Sequence, residues 1–182
     1  MNLRKKKDVL DDFQRNEAGE YVYVGKMHRY HGPERKRAMR ALILMDLLMF
    51  GLALTGGLIR AAGVIHTLYV IIPYVLTLLF VTVTGYKSIS MYFAGDPMRD
   101  YNYMATAENY DIWLLAVLIT ACAAVVSEAV YVVLNGFDGY VAGTVLYFLC
   151  MAVIALIAKT GKDFFAGMSW TEEESEYAEK GE

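Results

Sequence analysis

The stretch Tyr140 to Ala158 reads YVAGTVLYFLCMAVIALIA and contains no charged side chain. A helix needs about 20 mostly apolar residues to cross the hydrocarbon core of a bilayer, so this stretch predicts a membrane-spanning helix. Three further stretches have the same apolar character: Ala41 to Ile59, Thr67 to Tyr86, and Ile112 to Ser127 with an apolar continuation to Leu134. The expected fold class is therefore an all-α membrane protein with four transmembrane helices.

The composition agrees with this interpretation, because 57% of the 182 residues are hydrophobic, which is more than a soluble domain of this size normally carries. We expect a transmembrane domain over residues 41–158, between a basic N-terminal segment (1–40) and an acidic tail (159–182). The first apolar run begins only at residue 41, too late for a cleavable secretory signal, so the first span is expected to anchor the chain. The predicted spans are residues 37–60, 64–86, 111–134 and 139–160, with a loop over residues 87–110.

Basic residues are concentrated before the first span. Residues 1–40 hold 11 of the 17 Lys and Arg together with six acids, a net charge of +5. Lys and Arg accumulate in cytoplasmic loops, which predicts that both chain ends are cytoplasmic and that the protein lies in the cell (plasma) membrane. The short connection Asn135 to Gly139 has no basic residue, and Arg60 is the one basic residue placed outside. The overall form resembles that of small multispan membrane proteins of bacteria, and no motif identifies a named family.

The first and third spans share a sequence pattern. Asp46 and Thr55 recur with the same spacing as Asp111 and Thr120, and a Thr-Gly pair ends both the second and the fourth span. The pattern predicts two tandem helical hairpins, packed as a four-helix bundle and related by a pseudo-twofold axis along the membrane normal. Chance similarity between short apolar segments is the alternative. Small residues are expected to line the helix interfaces, since association in lipid depends on close backbone approach. In the first and third spans they are Gly51, Ala53, Gly56, Gly57, Ala116, Ala121, Ala123 and Ala124.

Ionisable residues at membrane depth are rare and usually face the protein interior. Four such residues are the candidate functional residues: Asp46, Arg60, His66 and Glu128. Long basic side chains reach toward the membrane surface, which predicts Lys87 or Lys159 as the partner of Asp46. Arg60 and Glu128 are expected at the same depth near the outer surface, as an ion pair with His66 close by. The alternatives are unpaired interfacial residues, or an ion or proton route.

Pro73 falls within the second span. It removes one backbone donor, frees the carbonyl of Tyr69 and favours a kink there. Tyr69, Tyr74 and Tyr147 are the polar groups nearest that level, so one alternative is a small cavity lined by their hydroxyls. Since Pro is tolerated in membrane helices without a functional role, we interpret these residues as packing residues.

The segment before the first span combines strand-forming and basic residues. Residues 20–30 mix β-formers with polar residues after a turn-like Asn16 to Gly19, which predicts a small hairpin or an extended strand. Pro33 and Glu34 fit the start of a helix. The following basic residues are expected to contact anionic lipid headgroups, in preference to nucleic acid, because the protein carries a net charge of −3. They are Arg35, Lys36, Arg37 and Arg40.

The remaining polar segments suit contacts rather than chemistry. The loop after the second span is rich in aromatic residues and contains Asp96-Pro97, a turn signal, so it is expected to lie along the membrane surface or to contact a partner. Ser169 or Thr171 is predicted to cap a short acidic helix that starts near Glu172. The tail has a net charge of −4 and is expected to attract the basic N-terminal segment. His28 and His31 lack a third ligand at suitable spacing, so no metal site is predicted.

These patterns favour a non-catalytic membrane protein. The sequence has no nucleophile elbow, no His-Glu-x-x-His and no phosphate-binding glycine loop, so we expect neither an enzyme nor a cofactor. The favoured function is an accessory, assembly or scaffold subunit that acts through protein partners, as a homo-oligomer or within a larger membrane complex. The alternative is a minimal oligomeric transporter or channel that uses Asp46, Arg60 and Glu128.

Overall fold

The computed structural model describes residues 13–15, 19–32 and 34–175, and most of these residues are helical. The helices are α1 (Arg35–Leu58), α2 (Ala62–His66), α3 (Leu68–Phe93), α4 (Asp100–Thr106), α5 (Tyr110–Asn135) and α6 (Val141–Ala166). The strands are β1 (Phe13–Arg15), β2 (Tyr21–Tyr23), β3 (Met27–Tyr30), β4 (Met98–Arg99) and β5 (Trp170–Glu173). Helices α1, α3, α5 and α6 are long and apolar enough to cross a membrane, which indicates a multi-pass membrane protein.

Each of the four long helices packs mainly against two others. Helix α1 contacts α3 and α6, and helix α5 contacts the same two helices. The side chains between them are apolar and closely packed, including Met49, Val117 and Met151, which are fully buried. Large aliphatic side chains cover the outer faces, as a hydrocarbon environment requires; they include Leu47, Leu48, Ile72, Ile119 and Leu156.

Only some of the small residues predicted at helix interfaces lie there. Ala53, Gly56, Ala121 and Ala124 are buried between helices, whereas Gly51 is exposed and a Cβ there would meet nothing within 4 Å. Small residues favour close helix approach only where they face another helix. Composition alone could not identify which ones do.

A three-stranded antiparallel sheet lies beyond the helices, in the order β4-β3-β5. Strand β3 precedes the first long helix, β4 lies between α3 and α4, and β5 follows the last long helix. The segments that precede and follow the four long helices therefore meet at one end of them. We call this end the sheet end, defined by Arg35, Phe93, Tyr110 and Ala166, and the other the loop end, defined by Leu58, Leu68, Asn135 and Val141.

Two predictions about the sheet end need correction. The acidic helix predicted from Glu172 is wrong over the described residues, because Trp170–Glu173 form β5 and pair with β3 in the register Met27↔Glu173. The predicted loop starts too early, because α3 continues through Lys87 to Phe93. In both cases contacts with distant segments decide the local structure, which overrides short-range propensity.

The basic segment and the acidic tail contact each other as predicted. Lys26 and Glu172 form an ion pair at 2.5 Å, and Arg29 and Glu173 form another at 3.3 Å. Strands β1 and β2 pair antiparallel beside the sheet. The predicted turn at 16–18, the predicted helix start at Pro33, residues 1–12 and residues 176–182 lie outside the described residues.

Candidate functional site

Asp46 is 3% exposed on the inner face of α1. The Tyr110 hydroxyl, at the first residue of α5, donates to Asp46 Oδ2 at 2.8 Å. Thr84 and Ser88 of α3 lie close by, although their hydroxyls donate to carbonyls of their own helix. Asp46 Oδ1 has no partner among the described residues. A buried carboxylate needs donors to offset lost hydration, so the Tyr110 hydrogen bond ties α1 to α5.

The prediction that Lys87 or Lys159 pairs with Asp46 is wrong. Lys87 Nζ donates to the Ala105 carbonyl at 2.6 Å and lies 3.5 Å from the Thr106 carbonyl, whereas Lys159 is exposed. The last carbonyls of a helix have no partner within it, and a lysine near them satisfies these acceptors. Lys87 therefore fixes the end of α4 against α3.

Glu128 is fully buried near the loop end of α5. Its Oε1 accepts the backbone N–H of Gly63 at 3.1 Å, a first-turn donor of α2 that has no partner within its own helix. Thr144 of α6 acts in the same way, because its Oγ1 accepts the N–H of Ala62 at 3.0 Å. A Cβ on Gly63 would overlap Glu128 Oε2 and crowd Tyr131. Glycine thus permits the close approach by which α5 and α6 hold the short helix α2.

Two more polar atoms are enclosed beside this contact. Glu128 Oε2 and Tyr147 Oη are shielded from solvent and lack a hydrogen-bond partner in the part of the chain that the structure describes. The Tyr74 hydroxyl donates to the Ala53 carbonyl at 3.1 Å, and the Tyr74 and Tyr147 rings lie 6.3 Å apart. The loop end therefore contains buried polar groups from α5 and α6 and a partly buried one from α3.

The expected ion pair between Arg60 and Glu128 is not formed. The ion pairs of the described residues do not include them, and Arg60 is exposed in the connection between α1 and α2. His66 ends α2, is also exposed, and stacks its ring 6.3 Å from that of Tyr131. The four ionisable residues thus do not form one cluster, because Asp46 and Glu128 are buried at different levels while Arg60 and His66 lie at the surface.

Pro73 lies inside α3, which continues on both sides of it. The Thr77 hydroxyl donates to the Pro73 carbonyl at 2.8 Å. Tyr69, where the kink is predicted, is 45% exposed. A Cβ on Gly57 would overlap the Tyr74 hydroxyl, so the residue after Pro73 packs directly on α1. These contacts are packing contacts, and the kink stays a prediction.

The basic residues at the start of α1 lie at the sheet end. Arg35 Nη2 donates to the Met91 carbonyl of α3 at 2.7 Å, whereas Lys36, Arg37 and Arg40 are exposed. Together with Glu34 these four bases line a surface groove. One basic side chain is therefore fixed against α3, and the other three are exposed to solvent.

His28 is at the centre of the contacts that hold the sheet end together. It is 8% exposed, its Nε2 donates to Asp100 Oδ1 at 2.7 Å, and its ring stacks on Tyr103 at 3.9 Å. Tyr103 also meets the Trp170 ring edge-on at 5.6 Å, and the Asp100 N–H donates to the Lys26 carbonyl. We call β3, β4, β5 and α4 the sheet platform. Its side chains join three regions that are distant in sequence.

No family model, curated protein or solved structure matches this chain. Among residues 13–15, 19–32 and 34–175, no group of three or more His, Cys, Asp or Glu side chains is arranged to hold a metal ion.

Proposed function

We propose that the protein is a non-catalytic accessory, assembly or scaffold subunit that presents the sheet platform to a partner protein. The observation that carries this proposal is the construction of the platform from residues on β3, α4 and β5, held by the His28–Asp100 hydrogen bond. Ordering three distant segments costs conformational entropy. A chain that needed only to anchor itself in lipid would not require such an ordered surface.

The platform also exposes side chains suited to a contact. Tyr101 and Met104 of α4 are 53% and 49% exposed, and Tyr21 of the neighbouring β2 is 75% exposed. Tyrosine and methionine are enriched at protein interfaces. These residues would form the contact surface.

The alternative of a transporter or channel receives less support from the interior. Apolar side chains such as Met49, Val117 and Ile154 are fully buried between the long helices. Asp46 and Glu128 have structural hydrogen bonds, to Tyr110 and to the backbone of α2. A proton route needs a continuous series of polar groups, which this packing interrupts.

Partner capture tests the proposal. Tagged protein is crosslinked in native membranes and purified in three forms. They are the wild type, the contact-surface variant Tyr21→Lys/Tyr101→Lys, and the control Asn109→Lys, which changes an exposed residue at the same end outside the contact surface. We expect one stoichiometric partner with the wild type and the control, and its loss in the contact-surface variant. A solute flux from purified protein in liposomes that Asp46→Asn or Glu128→Gln abolishes would replace this proposal with the transport function.

We also propose that the sheet end is cytoplasmic and that the host membrane is the cell membrane, on the basis of the basic residues around α1. Single cysteines at Asn109 and Asp138, in a protein without Cys122 and Cys150, test the orientation with an impermeant maleimide on intact cells. We expect labelling of the Asp138 position, at the loop end, and protection of the Asn109 position. Labelling of the Asn109 position alone would reverse the orientation.

We further propose that α1–α3 and α5–α6 are two tandem hairpins of a four-helix bundle. Thr55 and Thr120, which correspond in the repeat, donate to the carbonyls of Gly51 and Ala116, each four residues earlier. A circular permutant opened between Glu108 and Asn109 should insert and fold if the hairpins are separate units. Its failure to insert would argue against that division.

A further inference from the structure

The basic groove, defined by Glu34, Arg35, Lys36, Arg37 and Arg40, is a concave surface at the sheet end of α1. It is open to solvent and has a volume of about 640 Å³. Four of its five lining side chains are cationic. A groove of this charge and size fits an anion larger than a simple inorganic ion.

The groove has a fixed side, because Arg35 is held by the Met91 carbonyl of α3. Arg35 Nε is shielded from solvent and has no hydrogen-bond partner among the described residues. Lys36 and Arg40 both act electrostatically on the hydroxyl of Tyr92, the next residue of α3. The end of α3 therefore lies beside the groove. The fixed guanidinium of Arg35 and the exposed cations beside it together supply the positive charge that a phosphate group requires.

The face of α1 below the groove is apolar. Residues four apart lie on one face of a helix, so Lys36, Arg40 and Leu44 follow one another along the same face. Leu44, Leu47 and Leu48 are between 55% and 65% exposed. A cationic groove that continues into an exposed strip of leucines is complementary to a phosphate headgroup joined to an acyl chain.

We propose that the basic groove binds one anionic phospholipid, with its phosphate on Arg35, Lys36 and Arg40 and its acyl chain along Leu44, Leu47 and Leu48. Clusters of basic residues next to a membrane span are recognised surfaces for anionic lipids. This site goes beyond the scaffold function and does not depend on it, since the groove and the contact surface of the platform use different residues.

Native mass spectrometry of the full chain in detergent tests the site by titration with phosphatidylglycerol and with phosphatidylcholine of the same acyl chains. The groove variant is Lys36→Gln/Arg40→Gln, which leaves the Arg35 contact with α3 intact. The matched control is Lys159→Gln/Lys162→Gln, which removes two charges from the last turns of α6 at the same end. Glycerol 3-phosphate is the competitor that carries the phosphate without the acyl chain.

We expect a preference for phosphatidylglycerol, an affinity about tenfold or more weaker in the groove variant, and wild-type affinity in the control. Equal binding of the two lipids, or an equal loss in the control, would overturn a discrete site. Competition by glycerol 3-phosphate at concentrations similar to those of the lipid would overturn the role of the acyl chain. None of these outcomes affects partner capture by the platform, so the two proposals fail separately.

Discussion

Asp46 and Glu128 are two buried carboxylates whose hydrogen-bond donors differ in kind. Each lies in a low-dielectric interior and accepts one hydrogen bond, from the side chain of Tyr110 for Asp46 and from the backbone of Gly63 for Glu128. A side-chain donor can be removed together with its acceptor, whereas a backbone N–H remains after any substitution except proline. The comparison predicts that the Glu128 contact is the harder one to replace.

The largest effect is expected for Glu128→Ala. It leaves the Gly63 N–H buried without a partner and creates a cavity between α2 and α5, so we expect a loss of about 3 kcal/mol or more in unfolding free energy. Reversible unfolding in detergent with increasing dodecyl sulfate measures it. Glu128→Gln, which keeps an acceptor oxygen, should lose less than half as much; if both variants are equally unstable, the backbone contact is not the reason for the loss.

A second substitution tests the same contact by changing Gly63 instead of Glu128. Gly63→Ala places a Cβ against Glu128 Oε2 and Tyr131, and such overpacking costs about 1–3 kcal/mol. The control is Gly51→Ala, where a Cβ meets nothing within 4 Å and where alanine should stabilise the helix slightly. The same unfolding assay applies. Equal stability of the two variants would contradict the close approach of α2 and α5.

For the Asp46 contact, Tyr110→Phe removes the donor and keeps the ring. We expect a loss of about 1–2 kcal/mol, smaller than that for Glu128→Ala because one hydroxyl is removed and no large cavity is left. Tyr86→Phe is the control, since Tyr86 is 72% exposed and its hydroxyl should contribute nothing. A loss in Tyr110→Phe that exceeds the loss in Glu128→Ala would reverse the order that the comparison predicts.

The smallest effect concerns an exposed charge pair on the platform. The hydrogen bond and the charge of Lys26 lower the pKa of Glu172 below its ordinary value of 4.5, and Glu172 in turn raises the pKa of Lys26 above 10.5. The stabilisation from Glu172 is therefore present above pH 4.5 and is lost as the pH falls through the lowered value. The stabilisation from Lys26 is present below pH 10.5 and is lost as the pH rises through the raised pKa of Lys26.

An NMR titration of the Glu172 carboxyl carbon measures this pair. We expect a midpoint below 4.5 that rises toward 4.5 in high salt, because exposed charges are screened. Lys26→Met should raise the midpoint in the same way. A midpoint that is the same in the wild type and in Lys26→Met would show that the ion pair is not maintained in solution.

The four long helices could be predicted because each corresponds to a continuous apolar stretch. Such a stretch can be recognised without knowing which distant residues it contacts. The buried faces of these helices could be predicted only in part. Gly51 and Gly56 are the same residue type in the same helix, yet only Gly56 faces another helix. Asp46 and Glu128 could be identified as interior residues from their charge alone. Their partners could not, because Tyr110 and Gly63 lie on other helices and nothing in a single sequence pairs them.

The sheet end was the hardest part to predict. Residues 172–174 are three consecutive glutamates, which suit a helix start, and the first two of them enter a strand only because β3 offers hydrogen bonds from a region that is distant in sequence. The sequence predicts Lys87 in a loop because a charge normally ends an apolar span. Two carbonyls of α4 satisfy that charge instead and allow α3 to continue.

Strand order also has a consequence for biosynthesis. Strand β3 leaves the ribosome before its partner β5, which is translated only after all four long helices. The delay is on the order of ten seconds at typical elongation rates. Until then the edge of β3 that β5 will occupy is unpaired and open to other chains. A nascent polypeptide that stalls before β5 would keep this edge open, so the completed sheet marks chains in which all four long helices have been translated.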